Sequence, residues 1–163
     1  MLTALEAATK RLPFLPSRFG LGTDVLTTRT CPMKTFNCPL TGEVLVAVPA
    51  LAPDLAVIHA NEADAAGNAL IHGDAFADCL LAQAAARVVV TAERVVEKLP
   101  ADHPPRSTMI SRLWVDHVIE APGGGGVTAV YPDYRFDLPR LVEYQDNAKK
   151  EASLEMLIVE DPA

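Results

Sequence analysis

Basic residues are scarce in this chain: 14 Lys and Arg stand against 21 Asp and Glu in 163 residues, a formal net charge of −7. Affinity for nucleic acid comes largely from Lys and Arg clustered on phosphates, so an acidic chain without a basic cluster is not built for that partner. Long apolar runs are also missing. None approaches the roughly 18 consecutive residues that a membrane-spanning helix needs. The N-terminal stretch MLTALEAATKRLPFLP places Glu6 among its apolar residues and its basic pair after them, the reverse of a secretory signal. No membrane partner and a cytoplasmic location are therefore expected. Cysteine is sparse too: Cys31, Cys38 and Cys79 cannot all pair with one another, and their spacing matches no zinc template, so structural thiols and no metal are expected. Neither Ser17, Ser107 nor Ser111 sits in a G-x-S-x-G elbow, which leaves a simple serine hydrolase unsupported. The four histidines, His59, His72, His103 and His117, are scattered without a metal-ligand spacing.

What is present is an ordinary globular composition, 50% hydrophobic and 21% charged, consistent with one soluble domain over residues 1–163. A chain of this length buries roughly 70% of its unfolded surface, enough for a core without staples. Leu2, Leu5, Ala8 and Leu12 recur at helical spacing, which predicts a helix from about 2 to 12 that stops at Pro13. Proline and glycine then punctuate residues 13–43, expected as ordered loop with little regular structure. Short apolar, β-branched runs follow at 44–48, 55–59, 69–72, 87–92 and 114–119, each bounded by turn residues and each read as a strand. Residues 75–86 carry Phe76, Leu80 and several alanines behind Asp74, a helix with a capping candidate. A further helix is expected over 137–150 and an apolar tail near 154–159. Runs such as LAVI and VVV are apolar on both faces, as in central strands covered by helices. The fold class predicted is α/β, a mainly parallel sheet sandwiched by helices.

Three features could carry chemistry. The first is His59 to Asn68, HANEADAAGN, directly after a predicted strand, where α/β proteins place ligands; Asp64, Gly67 and Asn68 are equally the residues of a turn. The second is Ala121-Pro122 followed by Gly123–Gly126. Four glycines can expose backbone N–H groups to a ligand, although no Lys-Ser/Thr follows as in a phosphate loop. The third is Glu93, which ends the VVVTAE run and at a strand edge could serve as nucleophile or base, or pair with Arg94 or a helix end and do no chemistry.

Put in order, these segments resemble the α subunit of the two-subunit CoA-transferases of the glutaconate CoA-transferase type. The matching pieces are LPFLPSR at Leu12–Arg18 with Gly22-Thr23-Asp24, PLTGE at Pro39–Glu43 leading to VPAL at Val48–Leu51, and PDLAVIH at Pro53–His59 with Asp64 and Gly67-Asn68. They continue through Ala84–Ala86, VTAERVV at Val90–Val96, Val115-Asp116, APGG at Ala121–Gly124, and Tyr131-Pro132 with Asp137 and Tyr144, together spanning 12 to about 146. The resemblance implies an α/β fold around a mainly parallel sheet and transfer of coenzyme A from an acyl-CoA to a free carboxylate. It implies a partner, the β subunit of a hetero-oligomer, which carries a nucleophilic glutamate that becomes a glutamyl-CoA thioester. No cofactor is then bound permanently, and the CoA thioester is substrate. By the same resemblance Arg18, Thr23, Asp24, Asp64, Gly67, Asn68, Gly123 and Gly124 line the substrate or CoA site, while the catalytic glutamate lies outside this chain and Glu93 is only a weak candidate.

Family α subunits are roughly twice this length, and Met1 aligns in the middle of the family chain, so the N-terminal part of the family fold is expected to be missing. The sequence also departs from the family at Gly125-Gly126, where members often show Gly-Ala-His-Pro, and at Glu62, where they often have a basic residue. The tract RLPFLPSRFGLGTDVL also resembles the α subunit of CoA-ester ring hydrolases of steroid degradation, the alternative reading within this superfamily. A non-catalytic remnant or assembly subunit is the alternative of a different class.

Overall fold

The structure, a computed structural model, describes residues 1–28 and 30–148. The predicted apolar tail lies outside the described residues. The chain forms two compact units, one made of Met1–Ala56 with Phe76–Arg87, the other of Val57–Ala75 with the described residues from Val88 onward.

The first unit opens with helix α1 (Leu2–Thr9). It ends three residues before the predicted stop because Arg11 turns into the left-handed region at φ 54°. Arg11 N–H and Leu12 N–H then bond back to the carbonyls of Ala8 and Ala7, the paired closure that satisfies the last turn's carbonyls. Residues 13–43, expected as loop, contain two short strands, β1 (Phe14–Ser17) and β2 (Lys34–Asn37), and a 3-10 turn at Asp24–Thr27. Neither strand has the length or alternation to announce itself. Each becomes a strand by pairing antiparallel to β3 (Val44–Pro49), in the order β1-β3-β2, and Pro16 is tolerated because β1 is an edge. Helix α2 (Asp78–Ala84) is shorter than predicted, with Ala77 rather than Asp74 at the N-cap position. It packs on α1 through Leu5, Ala77 and Ala84, with Ala8, Leu80 and Leu81 around them. The small alanines let the two helices approach closely, and Leu5, fully buried, fills the seam.

The second unit is built on strands β4 (Ala56–Asp64), β5 (Ala69–His72), β6 (Val88–Val96), β7 (Ser107–Ile110) and β8 (His117–Glu120), in the order β7-β5-β4-β6-β8. Ile58, Ala60, Ala63, Leu70, Val88, Val90 and Ile110 are among its buried apolar residues. The α/β class stands, but the pairing is mixed rather than mainly parallel: β4–β5 and β5–β7 are antiparallel and β6–β8 is parallel. The reason is connection length. A parallel pair needs a crossover of a dozen or more residues, and only residues 65–68 join β4 to β5. Helix α3 (Leu138–Ala148) follows with no buried residue; residues 149–150 of the predicted helix lie outside the described residues. Among the described residues no helix is long and apolar enough to cross a membrane.

The β4–β5 turn shows how the local sequence sets this frame. Asp64 Oδ1 accepts the N–H groups of Ala66 (3.0 Å) and Asn68 (2.9 Å), and Oδ2 accepts Asn68 Nδ2 (2.8 Å). Gly67 takes φ 100°, and a Cβ there would already touch Arg112 at 3.4 Å. Replacing Asp64 with Ala removes these acceptors at once and is expected to lower unfolding free energy by about 1–3 kcal/mol, read as a shifted denaturant midpoint at an unchanged slope.

Candidate functional site

Strand β6 extends beyond its predicted end, so Glu93 lies inside it and not at its edge, and only 8% of its surface is exposed. Strand β4 likewise runs past its predicted end at His59 and takes in Ala60 through Asp64. On these two neighbouring strands the side chains of His59, Thr91 and Glu93 meet. Glu93 Oε1 accepts from His59 Nε2 (2.7 Å) and from the Tyr134 hydroxyl (2.7 Å), while Oε2 accepts Gly123 N–H (2.7 Å). Burial works to raise the Glu93 pKa, yet the donors of Gly123, Tyr134 and His59 outweigh it and hold the carboxyl below its ordinary value, because hydrogen bonds to the charged form favour that form. With Glu93 an acceptor, His59 Nε2 carries the proton; in the neutral ring Nδ1 then accepts the Thr91 hydroxyl, 2.9 Å away. The Tyr134 hydroxyl is pushed up to about 12, first by burial and then by its bond to Glu93, so it stays protonated and donates.

The glycine turn is held from the same point. Gly123 N–H goes to Glu93, Gly124 N–H to the Ala121 carbonyl, Gly125 N–H to the Tyr134 hydroxyl (2.7 Å) and Gly126 N–H to the Gly123 carbonyl. All four donors expected to face a ligand are therefore engaged inside the protein. Glycine is required at 124 and 125 by space: a Cβ at 124 would lie 2.8 Å from His59 Cε1, and one at 125 would meet Val130 and lie 2.5 Å from the Tyr134 oxygen.

A second set of bonds anchors the segment that carries Tyr134. Asn61, 1% exposed, donates from Nδ2 to the Tyr131 carbonyl (2.8 Å) and to Asp133 Oδ2 (2.7 Å), and its Oδ1 accepts His72 N–H (2.7 Å). Arg94 bridges Asp133 and Glu62. Burial raises the Asp133 pKa but Arg94 and Asn61 outweigh it, so this carboxyl too sits below its ordinary value. Glu62, which departs from the family pattern, serves here as an ion-pair partner of Arg94.

The residues predicted from sequence fall into separate settings. In the first unit, Arg18 Nε pairs with Glu43 at 2.6 Å beside an open cleft lined by Pro16, Ser17 and Leu45. Thr23 donates to the Gly20 carbonyl and Asp24 opens the 3-10 turn. In the second unit, Asp64, Gly67 and Asn68 form the β4–β5 turn, and Asp64 and Asn68 also line an open cleft with Lys98, His103 and Met109. Gly123, Gly124 and Glu93 come together around the buried carboxylate. His59, Thr91, Asn61, Asp133 and Tyr134 complete that site; sequence reasoning singled out the stretch that holds His59 and Asn61 without giving either a role and did not assign the other three, and the alternation of β4, with His59 and Asn61 on one face, was the available signal. Among the described residues no group of three His, Cys, Asp or Glu side chains is placed to hold a metal ion.

Comparison with known proteins gives this site its context. The family model described as Coenzyme A transferase matches residues 1–121. The chain belongs to the coenzyme A transferase family. It is 40% identical to the cholesterol ring-cleaving hydrolase IpdA subunit of Mycobacterium tuberculosis over 82% of this chain and 48% of that protein. The crystal structure of glutaconate coenzyme A-transferase from Acidaminococcus fermentans matches with a TM-score of 0.79 and 32% identity, covering 91% of this chain and 51% of that one. The crystal structure of a variant of the decarboxylase AibA/AibB matches with a TM-score of 0.82 and 35% identity, covering 96% and 56%. The chain spans about half the length of the curated relatives it matches. The mixed α/β sheet described above is thus the family's fold.

The depressed carboxylates carry a pH signature. A carboxyl whose folded pKa lies below its unfolded value contributes stability that is present above the ordinary range (~4.3) and is lost as pH falls through that range toward the folded pKa. Glu93→Gln is expected to melt lower than the wild type at neutral pH, since an amide cannot accept from all three donors, and to lose less on acidification. Thermal melts across that range check both.

Proposed function

We propose that this chain is part of the α subunit of a CoA-transferase, acting with a β subunit to move coenzyme A from an acyl-CoA to a free carboxylate. The observation that carries the reading is the family match over residues 1–121, joined to a relative, one subunit of the glutaconate CoA-transferase of Acidaminococcus fermentans, 35% identical over 66% of this chain. The reaction needs a carboxylate nucleophile that attacks the thioester carbonyl and expels CoA thiolate to leave a mixed anhydride. The thiolate then attacks the glutamyl carbonyl, releasing the donor acid and leaving a glutamyl-CoA thioester, and the acceptor acid runs the same two exchanges in reverse. A carboxylate suited to that attack needs an oxygen free to face the substrate. Glu93 has donors on both oxygens, which supports placing the nucleophile on the partner and leaving this chain to shape the substrate site.

One observation favours a second reading. The relative at 40% identity is a ring-cleaving hydrolase subunit, so addition of water to open a ring carried by a CoA ester is the alternative, and one fold hosts several chemistries. The readings separate in one assay. With the assembled complex, a transferase consumes acyl-CoA only when a free carboxylic acid is added, and borohydride reduction of the complex charged with acyl-CoA modifies a single glutamate, expected on the partner. Opening of a ring-bearing CoA ester in water alone, with its thioester intact and no reducible glutamyl thioester formed, would replace the transferase reading with the hydrolase one.

A further inference from the structure

The three-stranded sheet of the first unit is apolar on both faces, and only one of them is covered. Helix α1 packs on β1 and β3. Strand alternation and the β1-β3-β2 register put Leu15, Val46 and Val48 on one face, where the two valines are buried. The same register puts Phe14 and Pro16 of β1, Leu45, Ala47 and Pro49 of β3, and Phe36 and Lys34 of β2 on the other, and none of these is buried. An antiparallel sheet with one wet face alternates apolar with polar residues; here Lys34 is the one polar side chain in the outward set. The rings of Phe14 and Phe36 meet edge to face with centroids 5.7 Å apart, and the position between theirs on the central strand is the small Ala47. At the end of the sheet where Arg18 pairs with Glu43, Phe19 and Leu40 are exposed as well. A continuous apolar surface with aromatic residues at its centre and charge at its rim is what protein subunits bury against each other.

We infer that the outer face of the β1-β3-β2 sheet is the surface on which the β subunit docks, an inference that rests on the transferase reading above. That reading divides the site between two polypeptides, with the nucleophilic glutamate on the partner and Arg18 on this chain. A carboxylate can attack only a thioester within its reach, so the partner has to cover the ground beside Arg18. Pro16 and Leu45 line the cleft of Arg18 and Glu43 and belong to the apolar face as well. A subunit that closes over the cleft therefore closes over the face. The matching surface of the partner is apolar at its centre, where it receives Phe14, Phe36 and Leu45, and carries a carboxylate toward Lys34. The aromatic pair is the expected anchor, and the charged rim shields it from water.

The test compares the full chain alone with the assembled complex by hydroxyl-radical footprinting. Phe14, Phe36 and Leu45 are expected to be oxidised in the free chain and protected in the complex. Ala47→Arg sets a charge at the centre of the face; it is expected to leave the melt of the free chain unchanged, because the residue is not buried, and to weaken association with the β subunit about a hundredfold. Leu113→Arg, at an exposed leucine of the second unit, is expected to leave association as it is. Equal weakening by both variants overturns the proposal, and so does a complex in which Phe14 and Phe36 stay as reactive as in the free chain. A free chain that sediments as a dimer, and as a monomer once Ala47→Arg is introduced, gives the face to a second copy and overturns it too. The footprint needs no substitution, so it decides the matter where Ala47→Arg lowers the melt. A complex that protects Phe14 and Phe36 but consumes no CoA ester defeats the transferase reading and leaves the docking face standing; an active transferase with the face unprotected does the reverse.

Discussion

A carboxylate taken out of water must find donors, and Glu93 finds them on three separate stretches of chain: a histidine of β4, an amide of the glycine turn and the hydroxyl of Tyr134. Those stretches are far apart in sequence and have little apolar surface to hold them together, since Gly123–Gly126 contribute no side chains. The charge does that work because each bond to an ionised acceptor is shorter and stronger than a neutral one, and because removing the acceptor would strand several donors. Asn61 and Arg94 repeat the device one step along the same strands, clamping Asp133 and the Tyr131 carbonyl. The conformation of the segment from 121 to 134 follows from these two polar anchors more than from packing.

This arrangement bears on how chemistry is divided in a family whose members transfer, hydrolyse and decarboxylate. A glutamate that accepts three hydrogen bonds over its two oxygens is held in place in its ionised form, and a histidine bonded through both ring nitrogens is held in one orientation. Such groups build walls. The proposed function accordingly assigns the reacting carboxylate to the partner and a wall of the site to this chain.

Much of the fold was legible in the sequence. The β-branched runs at 44–48 and 69–72 and the helical spacing of Leu2, Leu5 and Ala8 lie within elements of the right type, and the run at 87–92 does so apart from Arg87, because burying an apolar face imposes its period on the sequence. Other parts were not. Strands β1 and β2 are four residues each and exist by pairing with β3, a long-range event with no local signature. The ends of β4 and β6 were misjudged because Asn61, Glu62, Asp64 and Glu93 are polar or charged, and polarity reads as loop; here these are strand residues whose side chains find partners.

The candidate site divides along the same line. The sequence by itself determined the class of fold, the family to which the chain belongs, and the chemistry available at each position, since these depend on residue types and their order. Asp64, Gly67 and Asn68 belong here as well: a turn of this kind is made by residues within reach of one another along the chain. Only the tertiary structure decided that Glu93 is buried and bonded through both oxygens, that Tyr134 and His59 are its partners, and that the Gly123 and Gly125 N–H groups are taken by Glu93 and Tyr134. Those facts depend on positions from 30 to 41 residues apart being brought within 2.7 Å, and hydrogen bonding on that scale is set by the paths of strands and loops, which no local pattern records.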